Sequence, residues 1–218
     1  MPTLLHLDAS PRSDRSVSRQ LTREFTVAWK EANPGGQVIY RDLGHNPVPL
    51  VTETFIAAVY TSPEARSPEL RAAISTSDQL ISELQTATDY VFGVPMYNFS
   101  VPAAFKAYID QIVVPGRTYA YTADGSGSRT GLLKEKKATV IMSRGWSYRN
   151  GSPLSNCNLQ EPWIRMILGF VGVTDLEFVV AEGIANLDRG KVGRDEYLRP
   201  IREQIRLKAG LDLSAVKS

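Results

Sequence analysis

Two rhythms of apolar residues alternate along the chain. Short, almost continuous apolar runs lie at Thr3 to Asp8, Val38 to Asp42, Tyr90 to Val94, Ala138 to Met142 and Leu176 to Val180, and longer stretches of helical period separate them. Unbroken apolar runs suit strands covered on both faces, and the helical stretches supply the crossovers that parallel neighbours need. The pattern predicts an α/β fold: one open, doubly wound parallel sheet with helices on both faces. The helical candidates are Val17 to Ala32, Glu53 to Thr61, Glu69 to Gln85, Ala103 to Val113, Trp163 to Phe170 and Asp195 to Ala209. Ser16 is placed to cap the first, Asn33-Pro-Gly-Gly36 ends it, and Pro102 and Pro162 are read as first-turn prolines, where a missing N–H costs nothing. Pro115 to Gly131 and Arg144 to Glu161 fit neither rhythm, and loops of that length in one domain usually carry function. No repeat, low-complexity tract or linker divides residues 1–218, so a single domain is expected.

Composition narrows the function classes. A chain of 218 residues can bury roughly 70% of the surface its unfolded form exposes. Its 43% hydrophobic and 22% charged residues are those of an ordinary globular protein. With 25 basic against 23 acidic residues the net charge is +2, too weak a field to gather nucleic acid. The single cysteine, Cys157, forms no internal disulfide, and two separated histidines leave too few soft ligands for a structural zinc, so no metal is expected. Met1 to Ser10 has neither a basic leader nor a signal-length apolar run, and nothing approaches the ~20 apolar residues of a membrane span. The expected setting is cytoplasmic, with no membrane partner and small-molecule chemistry.

Three turns at strand ends carry that chemistry. After the first strand, Asp8 to Ser18 passes from strand to helix, placing the hydroxyls of Ser10, Ser16 and Ser18, the free amides around Val17 and the cations Arg12 and Arg15 where an anion can sit. No Walker loop and no G-x-G-x-x-G is present, so a terminal phosphate monoester fits better than a polyphosphate. The same serines equally suit a helix cap and a solvated turn. After the third strand, Pro95, Met96, Tyr97, Asn98 and Phe99 offer an apolar wall and a paired donor and acceptor, suited to a planar heteroaromatic ring; the alternative is an aromatic loop packed on its own core. In an open doubly wound sheet the ends of strands one and three flank the topological switch point, where ligands bind. After the fourth strand, Ser143, Arg144, Gly145 and Trp146 bring an amide and a cation to the same rim, as the pyrimidine end of a flavin requires; a surface turn is the alternative. His6, His45 and Cys157 lack a partner in sequence and read as structural or bystander groups.

SPR-x-x-x-SVS, PMYNFSVP-x-x-FK-x-YID, and PGRTYAYT followed by SRG occur in that order. On these motifs the chain resembles the FMN-dependent NADH-azoreductase and NADH:quinone oxidoreductase family over essentially its whole length. The resemblance implies a flavodoxin-like five-stranded sheet of order 2-1-3-4-5 and a homodimer holding one non-covalent FMN per subunit. It implies that Ser10 and Ser16 to Ser18 hold the phosphate, Met96 to Phe99 line the isoalloxazine, and Ser143 to Trp146 close the pyrimidine side. It implies too that Tyr121 and Trp163, from the two long loops, wall the substrate space over the flavin, either in their own subunit or donated across the dimer. Trp146 stands where relatives commonly carry a second glycine, so acceptor range is expected to differ. The expected activity is two-electron transfer from NAD(P)H to quinones or azo compounds by ping-pong kinetics. A flavodoxin-type electron carrier and a flavin sensor are the rival readings; the near-neutral charge disfavours a carrier, which docks through acidic faces.

Overall fold

The computed structural model describes residues 1–122 and 127–211. In chain order it forms β1 (Thr3–Asp8), α1 (Val17–Ala32), β2 (Gln37–Asp42), α2 (Glu53–Tyr60), α3 (Pro68–Thr86), β3 (Asp89–Pro95), α4 (Ala103–Ile112), β4 (Tyr119–Tyr121), β5 (Arg129–Gly131), β6 (Lys137–Ser143), α5 (Gln160–Phe170), β7 (Asp175–Ala181), α6 (Ile184–Asp188) and α7 (Arg194–Lys208). Hydrogen bonding arranges five parallel strands in the order β2-β1-β3-β6-β7, which is the expected 2-1-3-4-5 once the short β4 and β5 are set aside.

Period-two alternation divides the strand side chains between two cores. Leu5, Leu7, Tyr90, Phe92, Val94, Ala138, Val140 and Met142 pack with α3, α4 and α5 on one face. Leu4, Val91, Ile141, Val179 and Ala181 pack with α1 and α7 on the other. Both faces are covered, which is why the strands read as unbroken apolar runs. α1 shows the helical counterpart: Val17, Leu21, Phe25, Ala28 and Trp29 form one buried stripe. Each large side chain fully buried there contributes about 1.5–3 kcal/mol. Ser16 caps that helix by accepting from the Arg19 N–H, as expected.

The differences lie in short elements. The expected loop Pro115 to Gly131 contains an antiparallel hairpin of β4 and β5; residues 123–126 within it lie outside the described residues. Three-residue strands leave too brief a pattern to register as a period. The segment Arg144 to Glu161 stays irregular apart from one 3-10 turn at Ser155–Cys157, and α5 begins three residues before the expected Trp163. Pro102 is the N-cap of α4 rather than a residue of its first turn, whereas Pro162 does sit in the first turn of α5.

Candidate functional site

The three predicted turns meet at the carboxyl edge of the sheet and are tied together there. Ala9 N–H donates to Gly93 O at 2.9 Å, joining the turn after β1 to β3, and Met96 N–H donates to Ser143 O at 2.8 Å, joining the turns after β3 and β6. Parallel pairing brings the ends of these strands level.

In the first turn Ser10, Ser16 and Ser18 are all buried. Ser10 Oγ accepts from the Arg12 N–H at 3.2 Å, and the Ser16 and Ser18 hydroxyls share a bond at 3.2 Å. The Val17 and Ser18 N–H groups, at the positive end of α1, meet no acceptor among the described residues. Arg15 is exposed. Arg12 differs from expectation: its guanidinium forks onto Asp188 of α6 at 3.1 and 3.3 Å, entering as half of an ion pair and not as a free cation.

The second turn is a tight hairpin in which Tyr97 and Ser100 exchange backbone bonds at 3.0 and 3.1 Å around Asn98 and Phe99. Both central residues are left-handed, with φ of 47° and 71°. That region costs a non-glycine residue roughly 1–2 kcal/mol, and a bulky phenylalanine seldom occupies it. The strain presents Tyr97 and Phe99 outward, half-exposed, above the buried Pro95 and the half-buried Met96.

Around the third turn Gly145 has open space where a Cβ would stand, and its N–H meets no acceptor among the described residues. Trp146 is exposed, with the Arg189 guanidinium 5.2 Å from its ring centroid. Arg144 corrects the expectation. Its guanidinium is buried and turned inward, donating to Gln160 Oε1 at 3.0 Å and Glu182 Oε1 at 3.2 Å, so it supports the rim and does not face a ligand.

The sequence reading missed Glu182, which is the hub of this loop. Besides Arg144 it accepts from Ser147 Oγ at 2.8 Å and Tyr148 N–H at 2.9 Å, and pairs with Arg149 at 3.0 Å. Burial pushes its carboxyl up, yet the bonds from Tyr148, Ser147 and Arg144 outweigh this and hold it below the usual carboxylate range. A second missed cluster lies behind the phosphate-type turn, where Asp8, Arg19, Tyr40 and Asp42 interlock. Burial opposes ionisation of Asp42, but hydrogen bonds from Arg19 and His45 keep it far below its ordinary value; Tyr40, desolvated beside Asp8, is pushed up to about 12. His6 is buried against Thr26 Oγ1 at 3.0 Å and Asp8 at 3.3 Å, while the exposed His45 bridges Ser13 and Asp42.

Tyr121 and Trp163 do not stand on the rim of their own subunit. Tyr121 lies in β4, half-exposed, on a hairpin bonded to the C-terminal ends of α4 and α3 through Thr118 to Ile112 O at 2.7 Å and Gln85 to Arg117 O at 3.5 Å. Those helix ends lie at the amino edge of the sheet, so Tyr121 is across the subunit from the rim. Trp163 belongs to α5 and not to a loop, and its ring meets Phe105 edge-on at 6.3 Å, packed against the core of its own subunit.

Residues 2–205 match the family model described as Flavodoxin-like fold. FMN-dependent NADH:quinone oxidoreductase 2 of Trichormus variabilis is 50% identical over 206 residues, covering 94% of this chain and 97% of its own length. The chain belongs to the FMN-dependent NADH:quinone oxidoreductase family. A more distant member, the FMN-dependent NADH:quinone oxidoreductase of Acidobacterium capsulatum, is 43% identical over 94% of this chain and 98% of its own. Among solved structures, an azoreductase from Bacillus anthracis superposes with a TM-score of 0.83 at 27% identity, covering 96% of this chain and 99% of that one. Within this family frame, the free amides and serine hydroxyls of the first turn fit a phosphate ester. The open Gly145 amide fits the electron-rich edge of a flavin ring.

Proposed function

We propose that the chain is an FMN-dependent oxidoreductase that passes two electrons from NADH to quinones and azo compounds. The observation that carries this reading is the convergence of a phosphate-type donor set, a strained aromatic hairpin and a free Gly145 amide on one sheet edge. Curated relatives named for the same activity support it along nearly the full chain. FMN bound there would supply the two-electron chemistry, accepting hydride from NADH before the acceptor is reduced, which is a ping-pong sequence.

The chain's own residues bind and orient. The Val17 and Ser18 amides and the hydroxyls of Ser10, Ser16 and Ser18 hold the phosphate. Pro95 to Phe99 wall the ring, and Ser143, Gly145 and Trp146 close its pyrimidine side, with Arg12 and Arg144 positioning their own turns through Asp188 and Glu182. Both histidines are engaged by protein, His6 by Thr26 and Asp8 and His45 by Ser13 and Asp42, and the acceptor's proton comes from solvent or a hydroxyl. The reading includes a single domain over residues 1–218 and a cytoplasmic homodimer in which Tyr121, remote from its own rim, serves the partner's substrate space; Trp163 supports that wall from beneath. No helix of the described residues is long and apolar enough to cross a membrane.

Purified chain should be yellow. Air-free NADH should bleach it, and menadione or methyl red should restore the colour. Bound flavin that NADH does not reduce would instead identify an electron carrier or sensor.

A further inference from the structure

Resting on the FMN reading above, we propose that Arg19 is a positioning residue that sets the phosphate turn from behind and thereby makes the chain discriminate FMN from riboflavin, the same ring without its phosphate. Arg19 is buried at the start of α1. Its Nε and Nη2 both donate to the Ser10 carbonyl, at 2.8 and 2.6 Å. Nη1 donates to Asp42 Oδ2 at 2.9 Å and to Tyr40 OH at 3.1 Å, Nη2 also bonds the other Asp42 oxygen, and Asp8 lies 3.7 Å away. Every guanidinium nitrogen is thus engaged by protein, so Arg19 acts through Ser10 and not on a ligand.

Two features make that grip consequential. The turn after β2 packs against the same segment: Leu43 and Gly44 N–H donate to the Asp8 carbonyl at 2.9 and 3.1 Å, which brings Gly44 so close that a Cβ there would lie 2.0 Å from Ser10 O. Ser10 is therefore clamped at its carbonyl, while its hydroxyl, already accepting from Arg12 N–H, keeps its proton for a ligand oxygen. Asp8 and Asp42 also stand behind a turn meant for a doubly charged ester. The other partners of Asp8 are Thr22 Oγ1, Tyr40 OH and His6, and those of Asp42 are the backbone and ring of His45 and, at 3.4 Å, Tyr40 OH. Arg19 is the cation shared by both carboxylates. Removing it loosens Ser10 and uncovers negative charge, and both changes penalise the phosphate while leaving the ring contacts alone.

The test titrates full-length chain, stripped of flavin, with FMN and separately with riboflavin, following flavin fluorescence. Wild type is expected to bind FMN at least about tenfold more tightly than riboflavin; absence of flavin binding would defeat the FMN reading itself, whatever Arg19 does. In R19Q the FMN affinity is expected to fall about tenfold or more with riboflavin affinity unchanged within about twofold. R19K, which keeps the charge but not the fork, should fall between. A recess of about 410 Å³ bordered by Arg19, Tyr40 and Asp42 admits water to the altered site. If R19Q fails to fold, R19Q/D42N removes one uncovered carboxylate and should still lose FMN affinity selectively, though by less, because Ser10 remains loosened. Equal weakening of both flavins, or unchanged FMN affinity, in the folded variant overturns the proposal.

Discussion

Asp8 and Asp42 face each other in register at the ends of β1 and β2, and that pairing alone obliges a cation to stand nearby. Arg19 meets the demand, although 23 residues separate it from Asp42 in sequence. Asp8 constrains a neighbour on its other side too. It is level with Gly93 of β3, where a Cβ would come within 2.6 Å of Asp8 Oδ1 and 2.9 Å of Thr22 Cγ2. Gly93→Ala is accordingly expected to cost about 1–3 kcal/mol, seen as a lower urea midpoint with an unchanged slope. An unshifted midpoint would mean that β1 and β3 separate more easily than this contact allows.

At the scale of elements, the loop after β6 has almost no apolar burial of its own and depends on Glu182 at the end of β7, which gathers Arg144, Ser147, Tyr148 and Arg149. Because the folded carboxyl lies below its ordinary value, its contribution is complete above the unfolded pKa, about 4.3, and is lost as pH falls through the lower folded value. Glu182→Gln is expected to lower stability at neutral pH by about 1–3 kcal/mol. It should also flatten the decline between neutral and acidic pH, with urea midpoints across that range as the measurement. Parallel pH curves for the two proteins would contradict it. This device was illegible in sequence, since Glu182 sits in an ordinary strand end and its partners come from a loop without pattern.

For the molecule as a whole, a ligand that bridges three strand ends stabilises everything they hold. FMN at one hundred times its dissociation constant should add about 2.7 kcal/mol, a rise of roughly 5–11 °C in Tm for a chain of this size. Thermal scans with and without FMN measure it, and an unmoved Tm would count against a site built from all three turns. Tyr121 makes a different prediction, because it lies at the opposite edge of its own sheet. Tyr121→Ala should reduce acceptor turnover severalfold while leaving FMN affinity unchanged and stability within about 0.5 kcal/mol. Steady-state kinetics beside flavin titration decides the point; loss of FMN binding in that variant would show a role within the same subunit.

What the sequence by itself determined is whatever repeats locally: apolar runs for central strands, the α1 stripe ended by Ser16 and Asn33, and three chemically distinctive turns whose order already pointed to the family. Those signals are written in neighbouring residues, where period and capping operate. Tertiary structure alone decided the inward turn of Arg144, the pairing of Arg12 with Asp188, the placing of Trp163 against Phe105, and the two carboxylate hubs at Asp42 and Glu182. A long charged side chain reaches several ångströms in any direction, and its partner is chosen by strand register and desolvation, which exist only once the sheet has formed.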